Sequence, residues 1–239
     1  MIHLFTKRFV LLCALTVTFL VVVSFISAPR ATELLNEQGS QYYNVLSDQS
    51  RLFNIDQEVN IPTWFVGFLT LYTGLLAGII ASTEKVRGNW LHFWWRGLAI
   101  IFVYISLDEV SGLHELVIDP IRNSFDLPPW LYQAWIVVGL ALVGLFGLIY
   151  SIFLWKVPRL VAFYFILAGI VYVGGAVGVE AIGGYSLSTQ GLSDWYIELA
   201  HIEEFMEMMG VVLAMYACTH YLRCHIKSVT ILFHPPKVR

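Results

Sequence analysis

The sequence predicts an all-α protein, a polytopic transmembrane bundle of six helices with both termini in the cytoplasm. Three observations carry this reading. Of the 239 residues, 58% are hydrophobic and 13% are charged, and the mean hydropathy is +0.70. A soluble domain carries about 25% charged residues, so this chain takes lipid as its solvent. The apolar residues gather in runs that match a hydrocarbon core of about 30 Å, which takes about 20 helical residues. The basic residues collect in alternate connections between those runs.

Six runs qualify, roughly 9–27, 62–82, 97–117, 132–154, 160–180 and 203–222. The first follows Lys7 and Arg8 and exceeds the about 7–15 apolar residues of a secretory signal, which predicts a retained helix rather than a cleaved leader. Between the first and second runs, residues 31–61 form the only sizeable extramembrane region. There Leu34, Leu35, Tyr42, Val45, Leu46, Leu52 and Phe53 recur at roughly helical spacing, which predicts a helix lying on the outer surface as a lid or a connector. Trp90, Phe93, Trp94 and Trp95 precede the third run as an interfacial belt, and Trp64 and Trp130 suit the opposite interface. The fifth run is rich in glycine. Its Gly174-x-x-x-Gly178 element predicts a face for close helix approach, within the chain or against a second copy. The sixth follows a Ser193-Asp194 cap, and its Met206, Met208, Met209 and Met215 read as packing groups.

Orientation follows from the short loops. Lys7 and Arg8, then Lys85, Arg87 and Arg96, then Lys156 and Arg159, then Arg223, Lys227, Lys237 and Arg239 fall on one side, against Arg30, Arg51 and Arg122 on the other. Both termini are therefore expected in the cytoplasm, in the inner (plasma) membrane. Cys13, Cys218 and Cys224 offer no extracytoplasmic disulfide framework.

Against this apolar background the acids stand out. From Arg159 to Arg223 there is no Lys or Arg, yet the stretch holds Glu180, Glu198, Glu203, Glu204 and Glu207 beside His201. Between Arg96 and Arg122 lie Asp108, Glu109, His114 and Glu115. A charged residue at mid-span costs at least about 2.5–3.5 kcal/mol. Without basic partners, such carboxylates must bind protons or metal ions, or reach water. At a 1.5 Å rise per residue, Asp108 lies about 16 Å along the third run and Glu115 about 27 Å, and Tyr104, Asp108, Ser111 and Glu115 share a polar stripe. On the sixth run His201 and Glu204 share another. The acids are thus expected in a site that opens to the extracytoplasmic side.

Glu198-Leu-Ala-His201 has the E-x-x-H spacing used by di-iron and di-manganese carboxylate bundles. Asp108, Glu109, His114, Glu115, Glu180, Glu198, His201, Glu204 and Glu207 are therefore the expected ligands of a divalent metal, iron, manganese or zinc. A metal-bound water or oxygen would permit lipid hydrolysis or oxidation. The alternatives are a proton or cation transporter using the acids as a relay, and a structural subunit whose acids meet basic residues of another chain. No catalytic residue is assigned, and no G-x-S-x-G elbow, H-E-x-x-H pair, haem-attachment motif or nucleotide loop occurs. The expected partners are the bilayer, a lipid or small-molecule substrate, and a protein partner or second copy. No nucleic acid is expected.

The segments Ser106-Leu107-Asp108-Glu109, His114-Glu115 and Glu203-Glu204-Phe205-Met206-Glu207-Met208-Met209-Gly210 resemble a group of uncharacterised bacterial integral membrane proteins. The acid and His arrangement is also loosely similar to the alkaline-ceramidase-like membrane hydrolases. That resemblance implies zinc ligands among membrane helices.

Overall fold

Eight α-helices and no strand make up the regular structure among the described residues. The structure, a computed structural model, describes residues 7–27, 50–57 and 59–226. The helices are α1 (Lys7–Ser27), α2 (Ile61–Val86), α3 (His92–Ser111), α4 (Ile118–Ser124), α5 (Trp135–Lys156), α6 (Arg159–Val173), α7 (Glu180–Gln190) and α8 (Asp194–His225). Most of the predicted surface helix in 31–61 lies outside the described residues; 50–53 are helical and 54–57 form a turn.

Five helices are long and apolar enough to cross a membrane: α1, α2, α5, the continuous helix Arg159–Gln190, and α8. A sixth arises if α3 and the segment Leu113–Ser124 count as one span, bent by 77°. The predicted straight run 97–117 is therefore corrected. Gly112, in the left-handed region at φ 55°, ends α3 and donates its N–H to Asp108 O at 2.7 Å. Glycine carries no Cβ penalty there. The Asp108 carboxylate then accepts the His114 N–H at 2.8 Å, which anchors the 3₁₀ turn Leu113–Val117.

Two more boundaries move. The predicted fifth run ends at Glu180, but the helix passes through a π-helical segment, Gly174–Val179, and continues to Gln190. Glu180 is thus inside a long helix. The sixth apolar run starts at 203, whereas α8 starts at Asp194 after the expected Ser193 cap, where Ser193 Oγ accepts the Tyr196 N–H at 3.2 Å. Hydrophobicity marks where lipid begins, whereas the cap marks where the helix begins, and here the two differ by nine residues (203 minus 194).

The core lies where α1, α2, α3 and α8 meet. Val17, Leu69, Leu76, Ile80, Trp95, Met208, Met215 and Cys218 are buried in one cluster. The helix pair α2 and α3 approaches closely at small residues: Ser106 Oγ donates to Gly67 O at 2.6 Å, and a Cβ on Gly74 would stand 3.2 Å from Ala99 O. In lipid, such close packing and interhelical hydrogen bonds replace the hydrophobic drive. Of the expected Gly174-x-x-x-Gly178 face, Gly174 is in close contact, joined by Gly175 rather than Gly178. Gly174 and Gly175 meet α8 at Met206, Glu203 O and Glu207, while Gly178 has open space around it.

One buried acid went unread in the sequence, because Lys85 and Arg87 beside it registered only as topology markers. Glu84, at the end of α2, is 3% exposed. It accepts from Arg87 Nη1 at 3.2 Å and from Asn89 Nδ2, and Arg87 Nη1 also reaches His225 O at 2.8 Å. This ties the α2–α3 corner to the last turn of α8. Replacing Arg87 by alanine leaves a buried carboxylate with fewer donors, and a loss of about 1–3 kcal/mol is expected. Thermal melting in detergent measures it, and an unchanged midpoint would count against the tie.

Candidate functional site

The expected site residues fall into three neighbourhoods. The innermost is a cluster of acids where α3, α6 and α8 meet. Tyr172 Oη on α6 donates to Glu109 Oε1 on α3 at 3.4 Å. The same tyrosine lies within hydrogen-bonding reach of Glu207 on α8. Glu204 is close enough to interact electrostatically with Glu109, Glu203 and Glu207. All five groups are half-buried. Local packing sets this up. Gly210, one turn beyond Glu207, lets α8 lie against the Tyr172 backbone, since a Cβ there would stand 2.9 Å from Tyr172 N. Gly175 brings the π segment onto Glu203 O, and a Cβ there would stand 2.8 Å away.

The second neighbourhood is at the α3 bend. Asp108 Oδ2 pairs with His114 Nδ1 at 3.0 Å, while Oδ1 accepts the His114 backbone N–H. One carboxylate therefore fixes both the turn and the imidazole, which holds Nδ1 as the protonated nitrogen when the ring is neutral. The His114 ring meets the Trp135 ring edge-on at 5.0 Å, and Trp135 Nε1 donates to Glu180 Oε1 at 2.9 Å. Glu180 in turn interacts electrostatically with His114, Glu115 and Glu203. This places Glu180 between the bend and the acid cluster.

The third neighbourhood surrounds His201, which is 4% exposed. Its Nδ1 lies 2.7 Å from Ile197 O, which only a donor N–H can satisfy, so Nε2 is the acceptor. Ser24 Oγ of α1, 3.0 Å from Nε2, is then the donor, and it accepts the Ile55 N–H at 3.0 Å. His201 thus faces α1, away from the acid cluster. Beside it Tyr196 Oη donates to Asp56 Oδ1 at 3.2 Å. Surrounding protein pushes the Asp56 carboxyl up to about 6, against the Tyr196 hydrogen bond and nearby His201, which lower it. The residue still keeps solvent contact, which moderates the rise.

These placements revise the expected ligand set. Among the described residues no three of the His, Cys, Asp and Glu side chains are arranged to share a metal ion. Of the E-x-x-H pair, His201 is engaged by Ser24 and Ile197 O, while Glu198 is exposed. The expected polar stripe of α3 is also divided. Tyr104, Ser111 and Glu115 are exposed, whereas Asp108 and Glu109 turn inward. Helical periodicity put Tyr104, Asp108, Ser111 and Glu115 on one face, but the Gly112 bend carries Glu115 away and partner packing selects the inner edge. Sequence reading missed Ser24, Asp56, Trp135, Tyr172 and Tyr196. Only a map of which helices touch could single out these hydroxyl, indole and carboxyl groups.

No curated protein and no solved structure matches the chain, and no link to the alkaline-ceramidase-like hydrolases is shown. A family model described as a domain of unknown function, DUF8692, matches residues 10–222. The chain, a helical protein with several spans apolar enough for a membrane and a cluster of acids shared by three of its helices, belongs to this uncharacterised family.

Proposed function

We propose that the protein is a multi-pass inner-membrane protein that binds and passes protons through the acid cluster where α3, α6 and α8 meet. In this reading α3 with its bent continuation is the sixth span, both termini are cytoplasmic, and the site opens to the extracytoplasmic side. The observation that carries the proposal is the Tyr172 hydroxyl, hydrogen-bonded to Glu109 and within reach of Glu207, on helices that carry no Lys or Arg between Arg159 and Arg223. Close carboxylates in a low-dielectric setting cannot all be ionised together. They share protons instead, and a hydroxyl between two of them can hand a proton from one to the other. His114, held by Asp108 and adjoining Trp135 and Glu180, is suited to exchange protons with water at the mouth. A metal-dependent lipid enzyme is the weaker reading, because no three of the described His, Cys, Asp and Glu side chains are arranged to share a metal ion.

The test is reconstitution into liposomes with an imposed pH gradient and a pH-sensitive dye inside. The wild type is expected to equilibrate protons faster than empty liposomes, and Glu204→Gln to slow this by about tenfold, equivalent to about 1.4 kcal/mol. Chelator treatment is expected to leave the rate unchanged. Wild-type flux equal to that of empty liposomes would sink the relay, and flux abolished by chelator would restore the metal reading.

A further inference from the structure

The hydrogen-bonded pair Ser24 and His201 has no part in the relay, yet it has the polarity of a nucleophile and its base. His201 gives its Nδ1–H to Ile197 O at 2.7 Å and turns the lone pair of Nε2 to Ser24 Oγ at 3.0 Å. That is how a serine hydroxyl is activated: a neutral imidazole oriented through one nitrogen takes the proton at the other. Here a backbone carbonyl does the orienting.

Two further observations concern what the pair could meet. Next to it, between α1 and α8, is a recess of about 380 Å³ lined by Val21, Phe25, Glu198, His201, Ile202 and Phe205. The walls are almost wholly apolar, and Val22, Phe25 and Ile202 beside it are exposed on faces of membrane-crossing helices. An acyl chain entering from the bilayer matches such a recess. Ser24 also lies three residues before the end of the apolar run 9–27, about 4.5 Å of helix rise. Whichever way the chain is oriented, that depth is the boundary between hydrocarbon and headgroups, where the ester groups of glycerolipids lie.

We infer that Ser24 and His201 form an acyl-transfer site for a lipid ester whose acyl chain occupies the recess between α1 and α8. Ser24 Oγ attacks the ester carbonyl and passes its proton to His201 Nε2. The acyl carbon to alkoxy oxygen bond breaks, and the proton leaves with the alcohol. Water then cleaves the acyl-serine, its proton travelling through the same nitrogen, so the net reaction is ester hydrolysis. At rest the hydroxyl is 1% exposed, covered by the 54–57 turn whose Ile55 N–H it accepts. The turn must move aside for acylation. It is fastened by the hydrogen bond from Tyr196 Oη to Asp56, so Tyr196→Phe loosens the cover.

A fluorophosphonate bearing a long alkyl chain tests this on the full chain in detergent micelles. The expected result is a single label mapped to Ser24, absent in Ser24→Ala, at least about tenfold slower in His201→Gln and faster in Tyr196→Phe. Thermal midpoints of the variants report folding, and Tyr196→Phe keeps the test informative if His201→Gln fails to fold. No label on Ser24 in both wild type and folded Tyr196→Phe, or labelling indifferent to His201→Gln, overturns the inference and leaves the pair as a tie between α1 and α8. Proton flux in Ser24→Ala is expected to equal the wild type, so the two proposals fail separately.

Discussion

Replacing Tyr172 with phenylalanine is expected to slow proton equilibration in liposomes by about 10- to 100-fold while leaving the fold intact. The hydroxyl donates to Glu109 on α3 and lies within reach of Glu207 on α8, so it joins acids carried by two different helices. Hydrogen bonds to groups that become charged are worth about 1.5–3 kcal/mol. Losing one from the path, with about 1.4 kcal/mol per factor of ten, gives that range. The Tyr172 backbone and Cβ that lie against Gly210 are unchanged in phenylalanine, so stability should change little. The measurement is the dye-reported rate beside the melting midpoint. A Phe variant that conducts like the wild type would remove Tyr172 from the path, even if Glu204→Gln were slow.

Gly210→Val, at the single glycine of α8, is expected to cause a large loss of stability. A Cβ at this position would stand 2.6 Å from Tyr172 Cβ and 2.9 Å from its Cα and N. Two of those are backbone atoms, so no rotamer change relieves the clash and α6 must separate from α8. Overpacking of this kind costs about 1–3 kcal/mol and at times more. Because the displaced element carries Tyr172, the relay should fail with it. Gly144→Ala in α5 is the control: nothing lies within 4 Å of a Cβ there, and alanine favours helix over glycine by up to about 1 kcal/mol. Thermal melting of both variants in one detergent settles the comparison. Equal midpoints would mean that the α6–α8 approach is not tight.

The acids themselves were legible in the sequence, because apolar surroundings without Lys or Arg make a carboxylate conspicuous. Their grouping was not. Glu198 and His201 stand three apart on one helix, yet His201 is buried against α1 and Glu198 is exposed beside the same helix. Spacing along a helix sets direction around its axis; which neighbour occupies that direction is a matter of packing. Asp108 shows the same limit. Its place in an apolar run was plain, but its role as the cap of a bend depended on the conformation of Gly112, which a single glycine in a helical pattern does not declare.

The sequence by itself determined the solvent and the element type: long apolar runs force every backbone N–H and C=O into helical hydrogen bonds, since lipid supplies no partners. It also determined that carboxylates outnumber cations in two of those runs. Only the tertiary structure decided that Tyr172 joins Glu109 to Glu207, that Asp108 holds His114 across a 77° bend, and that Ser24 meets His201 over 177 residues of chain. The physical reason is that a helix in lipid can rotate and tilt without losing a backbone hydrogen bond. Its facing residues are chosen by the small side chains that let another helix approach, here Gly175 and Gly210.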